Sequence, residues 1–385
     1  MTLGNTNPPP HARPLPFAYA TGEDWSSIGK ECLLKLGEIG NCNLGLVYVS
    51  DHLADDLSSL VTLLRRITGV SHWVGTVGVG LCALDKEIFD QPAAAIMLLD
   101  VPAENIHMFS IQRPSDVTEL AQQAQKWFKD DLPPFAIVHA DPRQDDLLSL
   151  LDSISLETGC FMVGGIVACR GTAIQLADSF TAGGISGVLL RGGSLPVSVG
   201  LTQACIPRGS FYVITGTEDN LITELDGRLA LDVLREDMSQ RGESETTATS
   251  IEDGLYVALS VPGSDTGDYI VRPVVGINRT AGWLALMEPV ERGRRLSFTK
   301  RDATAAREDL RQMVQSLKRR LCAPARGALY ISCLGRGTHL FGPGSQELKL
   351  IQYELGGIPL VGMFAGGEIF HGRLHGQSGV LCVFS

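Results

Sequence analysis

The chain has 385 residues, a formal net charge of −11, 44% apolar residues and only 6% aromatic ones. That length exceeds one ordinary core, so two domains or one large duplicated body are expected. A surplus of acidic groups argues against nucleic acid as the main partner, and 43 Gly in an apolar chain suit an α/β core with many tight turns rather than a disordered one.

Residues 1–40, beginning MTLGNTNPPPHARPLP, read as a polar, Pro-rich tail and lead-in. A first unit then opens on the strand GLVYVSD at 45–51. The helical stretch LADDLSSLVTLLRRITG follows, with Leu53, Leu57, Leu60, Leu64 and Ile67 on one face. A second strand carries Val74-Gly75, with Gly78 and Gly80 beyond it, and AAAIMLLD at 93–100 closes the unit. The same plan returns with FAIVHAD at 135–141 and a helix through Leu147, Leu151, Ile154 and Leu156. Val163-Gly164, Gly165 and ISGVLLR at 185–191 complete it.

VSVGL and SFYVIT read as further strands, ahead of a helix around 228–239. The polar stretch RGESETTATSIED at 241–253 reads as a linker. A strand meander follows in GLYVALSV, YIVRPVVGI and WLALMEPV. The basic stretch at 291–301 reads as a solvated face. Leu310, Met313, Val314, Leu317 and Leu321 then form one helical stripe, with Thr299 and Asp302 as a capping box.

A third unit closes the sequence: GALYISC at 327–333, the helix SQELKLIQYELGG, Val361-Gly362, Gly366-Gly367 and SGVLCVF at 378–384. It differs from the others by an insert, LGRGTHLFGPG, after Cys333. Acidic residues early in each of the three helices and Gly at their ends are start and stop signals. The fold class is therefore α/β, with duplicated β-α-β-β units forming two mixed sheets flanked by helices.

Nine cysteines make no CxxC pair, and most, such as Cys82, Cys160, Cys169 and Cys382, sit in apolar runs as small hydrophobes. No leader pattern or apolar run of membrane-spanning length occurs, so a cytoplasmic protein with no membrane association is expected. GTVGVG at 75–80 has the order GxxGxG, with no helix pattern after it and no Lys-Ser/Thr, which argues against a nucleotide site. The bland reading there is glycine for close backbone approach.

The most chemically loaded place is the third unit. Neighbouring strands would bring Cys333, Arg336 and Gly337 to one sheet edge with Gly362, Phe364, Gly367 and Glu368, a crevice position where open α/β sheets hold ligands. Arg336 offers a fork of donors for a carboxylate, while Glu368 could hold Arg336 or receive an ammonium group. Gly75, Gly78 and Gly80 form a secondary candidate edge. Cys333 has His339 six residues on, with nothing fixing contact, and C-x-x-R is too short for a Cys-phosphatase loop. Glu368, His371 and His375 fall in EIFHGRLHG, which reads as a hairpin, so the i, i+4 spacing of a metal site does not apply. No catalytic residue, metal or cofactor is called for.

ALYISCLGRG, GIPLVGMFAGGEIF and SGVLCVF resemble the C-terminal half of FIST-domain proteins, and GTVGVG, GGIVACRG, SGVLL and VITGTEDNLITELDGRLALDVL resemble the N-terminal half. YIVRPVVGIN fits the start of the C-terminal region, with Asn278 where the family more often has Asp. The resemblance implies a FIST N-terminal domain at 41–240 and a FIST C-terminal domain at 254–385. It also implies a sensory module for a small ligand, an amino acid or small carboxylate, that acts through a signalling protein partner. A scaffold without ligand and an enzyme using Cys333 or Glu368 are the alternatives.

Overall fold

The computed structural model describes residues 13–127, 132–207, 209–242, 254–261 and 269–385. Residues 1–12 of the expected tail and 243–253 of the expected linker lie outside them. The chain divides into two compact units: residues 1–202, 310–374 and 378–385 make the first, and 203–309 with 375–377 the second.

The first unit holds three six-stranded mixed sheets built on one plan. Each centres on a parallel pair: Leu44–Ser50 with His72–Gly78, Phe135–Ala140 with Phe161–Ile166, and Gly327–Cys333 with Leu360–Ala365. An antiparallel strand flanks each first strand, namely Ala93–Leu99, Ile185–Leu190 and Ser378–Phe384. Parallel pairs need a crossover, and the helices Leu57–Thr68, Leu147–Thr158 and Gln346–Leu355 supply it. All three end on a left-handed glycine, Gly69, Gly159 and Gly356, as their sequences predict.

The outer strands were harder to foresee. After each parallel pair the chain leaves its own sheet and forms a hairpin on another. The hairpin Gly80–Ala83/Lys86–Phe89 joins Leu360–Ala365. Ile174–Ala177/Ser179–Ala182 joins His72–Gly78, and Glu368–Phe370/Arg373–His375 joins Phe161–Ile166. Three sheets therefore arise where the sequence reading expected two in the whole chain, because each unit's central strands organise a sheet that another unit's hairpin completes. Alternate residues of all three sheets, among them Leu46, Tyr48, Val74, Ile137, Val163, Val188, Leu329, Ile331, Val361 and Val380, meet in one apolar core. The opposite faces of the first two sheets pack beneath helices.

The expected lead-in is partly ordered structure: Phe17–Thr21 is an edge strand on Ala93–Leu99, and Asp24 caps the helix Trp25–Lys35 by accepting from the Ser26 and Ser27 amides. The strand Ile106–Ile111 and the helix Pro114–Trp127 were also not read from the sequence.

In the second unit the described strands form an eight-stranded sheet whose pairings are antiparallel. Its core gathers Ile214, Ile222, Leu234, Met238, Val257, Leu296 and Phe298 around the helix Ala230–Gln240. The capping box needs correction. Neither half of it forms: Asp302, just before the helix Ala303–Arg320, accepts from the Ala305 amide rather than reaching back to Thr299, and the Thr299 hydroxyl donates to the Ile206 carbonyl.

Candidate functional site

The glycines of the Val-Gly pairs are explained by strand packing. A Cβ on Gly75 would lie 1.7 Å from the Val47 carbonyl oxygen, on Gly164 1.9 Å from that of Val138, and on Gly362 1.7 Å from that of Tyr330. In each sheet the second strand passes too close to the first for any side chain. Gly75 and Gly362 thus face backbone, and what approaches closely is the neighbouring strand. Gly78 and Gly80 flank the step from one sheet to the next, where the Val79 amide donates to the Ala168 carbonyl. Gly366 and Gly367 make the corresponding step by bonding both ways with Ile166.

Cys333 and Glu368 come together as the topology predicts. The Leu334 amide donates to the Ala365 carbonyl, joining the two strand ends, and the Cys333 thiol bonds the Glu368 carboxylate. Phe364 is buried against Phe89, with ring centroids 4.7 Å apart. His339 is exposed on the insert. His371 and Gly372 both have positive φ and form the turn of the expected 368–375 hairpin.

Arg336 does not pair with Glu368. Its Nε donates to Glu347 Oε1 at 2.7 Å, and both side chains are fully buried. The same carboxylate accepts from the Tyr330 hydroxyl (2.7 Å), the Ser332 hydroxyl (3.1 Å) and the Gly337 amide (2.9 Å). The guanidinium lies over the Phe341 ring, 5.1 Å from its centroid. Four donors on one carboxylate make a strong anchor. Burial opposes the charge on Arg336, but Glu347 beside it more than offsets this and raises its pKa. Sequence reasoning missed Glu347, because an acidic residue in the first helical turn already has a local explanation as a start signal.

Two ends of this arrangement are unsatisfied. Nη1 and Nη2 of Arg336 are buried without hydrogen-bond partners, as is Oε1 of Glu368, whose Oε2 accepts from the Ser378 amide and hydroxyl. Arg336 and Glu368 sense each other's charge. Glu368 also belongs to a polar row across the second sheet, Ser186–His139–Gly165–Glu368, in which each residue stands opposite the next. His139 Nε2 contacts the Tyr48 hydroxyl at 3.2 Å, while His139 Nδ1 and Ser186 Oγ have no partner. No sequence signal marked this row, since its members come from four separate strands.

Burial pushes the Glu368 carboxyl up from 4.5 to about 8, against the pull of Ser378, Arg336 and Cys333. The folded state therefore holds a proton that the unfolded chain releases. Its stabilising effect is fully present below pH 4.5 and is lost as pH rises through about 8. The denaturant midpoint should accordingly fall between pH 6.5 and 8.5, and Glu368→Gln should flatten that fall. Glu87, pushed up to about 7 by burial and by Glu347, acts in the same direction, so part of the slope should survive. His139, held down to about 3 by burial, acts in the opposite direction and below its ordinary 6.5, outside this window. An unchanged slope in Glu368→Gln would show that its carboxyl is ionised throughout.

None of the nine cysteines is in a disulfide, and seven of them are buried. Among the described residues, no helix is long and apolar enough to cross a membrane.

Comparison with known proteins agrees with the motifs. The FIST N domain matches residues 43–228 and the FIST C domain residues 230–371. An uncharacterised protein of Mycobacterium tuberculosis (strain ATCC 25618 / H37Rv) is 33% identical over 359 residues, covering 90% of this chain and 92% of its own. One from Mycobacterium bovis is 30% identical over 348 residues, covering 87% of each. FIST domains are generally sensory and bind small ligands. With both of its domains matched in order and relatives that align along most of its length, the chain belongs to the FIST family.

Proposed function

We propose that this protein is an intracellular small-ligand sensor that signals through a partner protein, and that its ligand is an amino acid or small carboxylate held between Arg336 and Glu368. The observation that carries this reading is the unpaired state of Nη1 and Nη2 of Arg336 and Oε1 of Glu368. A buried charged group left short of partners is costly. A ligand carboxylate would occupy the guanidinium fork, and a ligand ammonium would meet Glu368 and favour its ionised form. Thr338 and His339 are exposed while Arg336 beside them is buried, so the short helix Thr338–Phe341 is the cover a ligand would pass.

A thermal-shift screen of amino acids and small carboxylates tests this. A ligand at about 100 times its dissociation constant should stabilise the protein by roughly 2.7 kcal/mol. Arg336→Lys keeps the charge and loses the fork, so it should weaken binding about tenfold or more, and so should Glu368→Gln. If both variants bind an identified ligand as tightly as the parent, the site lies elsewhere. If no compound stabilises any form, the scaffold reading takes its place.

A further inference from the structure

We propose a second binding site, for an organic anion with an apolar body, in a cleft of about 450 Å³ at the N-terminal ends of the strands Phe135–Ala140 and Phe161–Ile166. This is the opposite end of that parallel pair from His139 and Gly165. Its floor is apolar. Phe135, Leu190 and Leu195 belong to the core of the first unit and also line the cleft. Phe161 stacks beside Phe135 at 6.4 Å between centroids and 15° between planes, leaving part of its own ring uncovered.

Among the described lining residues the charged ones are Arg191, which is already engaged within the structure, and Arg320. Arg320 Nη2 donates to the Val199 carbonyl at 3.2 Å, which places the exposed guanidinium at the wall. That bond uses one of its five N–H donors. The cleft lies within the volume range of small-molecule sites, and an apolar floor with a few placed polar groups is their usual chemistry.

A fully polar zwitterion would gain nothing from the phenylalanine and leucine floor, so the occupant differs in class from the ligand proposed at Arg336. A medium-chain alkyl carboxylate or an aryl sulfonate has the required form: an apolar body for the floor and one anionic group for Arg320.

The test uses 1-anilinonaphthalene-8-sulfonate and octanoate with the folded full-length chain. The sulfonate should bind saturably at one site per chain with enhanced fluorescence, and octanoate should displace it, whereas octylamine should not. Arg320→Ala should weaken both anions about tenfold or more. Ser198→Trp, which places an indole in the cleft, should abolish binding in a protein whose circular dichroism is unchanged. If that variant does not fold, Arg320→Ala and the octylamine comparison still decide. Equal binding by Arg320→Ala, displacement by octylamine as effective as by octanoate, or no saturable binding of either anion at millimolar concentration would each overturn the proposal.

Discussion

Glu347→Ala should destabilise the first unit by about 3–5 kcal/mol, because it strands a fully buried guanidinium. The same substitution removes the acceptor for Tyr330, Ser332 and the Gly337 amide, all of them buried. Chemical denaturation would show a lower midpoint. The exposed pair Arg13–Glu38, also an Arg–Glu contact at 3.2 Å, serves as the control, and Glu38→Ala should cause no measurable loss. Arg336→Met combined with Glu347→Leu should recover part of the deficit, since it removes the stranded charge while Tyr330, Ser332 and the Gly337 amide remain without their acceptor. A small effect of Glu347→Ala alone would mean that water or another acceptor reaches Arg336.

Gly362→Ala should cost more than about 3 kcal/mol and lower the yield of folded protein. The new Cβ would stand 1.7 Å from the Tyr330 carbonyl oxygen and 2.7 Å from its carbon, which is backbone rather than a flexible side-chain tip. Relief requires moving a strand that pairs with Gly327–Cys333 on one side and Gly80–Ala83 on the other. Gly171→Ala, where nothing lies within 4 Å, should stay within about 0.5 kcal/mol of the parent. Comparable loss in both variants would indicate that glycine matters there only through chain flexibility.

These two sites also show what the residues alone reveal. The recurrence of Val-Gly at one place in three stretches was visible, and so was a shared structural cause, because glycine has few other reasons to recur there. The helix ends at Gly69, Gly159 and Gly356 were equally legible, since a left-handed cap is a local requirement. Glu347 was hidden because its local role as an early acidic residue concealed a tertiary one. The row from Ser186 to Glu368 was hidden for a different reason: register between distant strands leaves no mark on any one of them. The Trp25–Lys35 helix escaped because Ser, Gly and Lys interrupt its apolar face, although Asp24 carried a readable cap.

The exchange of hairpins between sheets bears on how the chain is made. Phe161–Ile166 receives its outer neighbour only from Glu368–Phe370, so the second sheet keeps an open edge until that segment has been synthesised. About 200 residues separate the two, which at the usual pace of translation is about 10–40 s of waiting. The third sheet is later still, for its Gly327–Cys333 strand is flanked by Ser378–Phe384. The nascent polypeptide therefore carries an unpaired, apolar strand border throughout that interval, and chaperone demand should fall once residues 368–384 emerge.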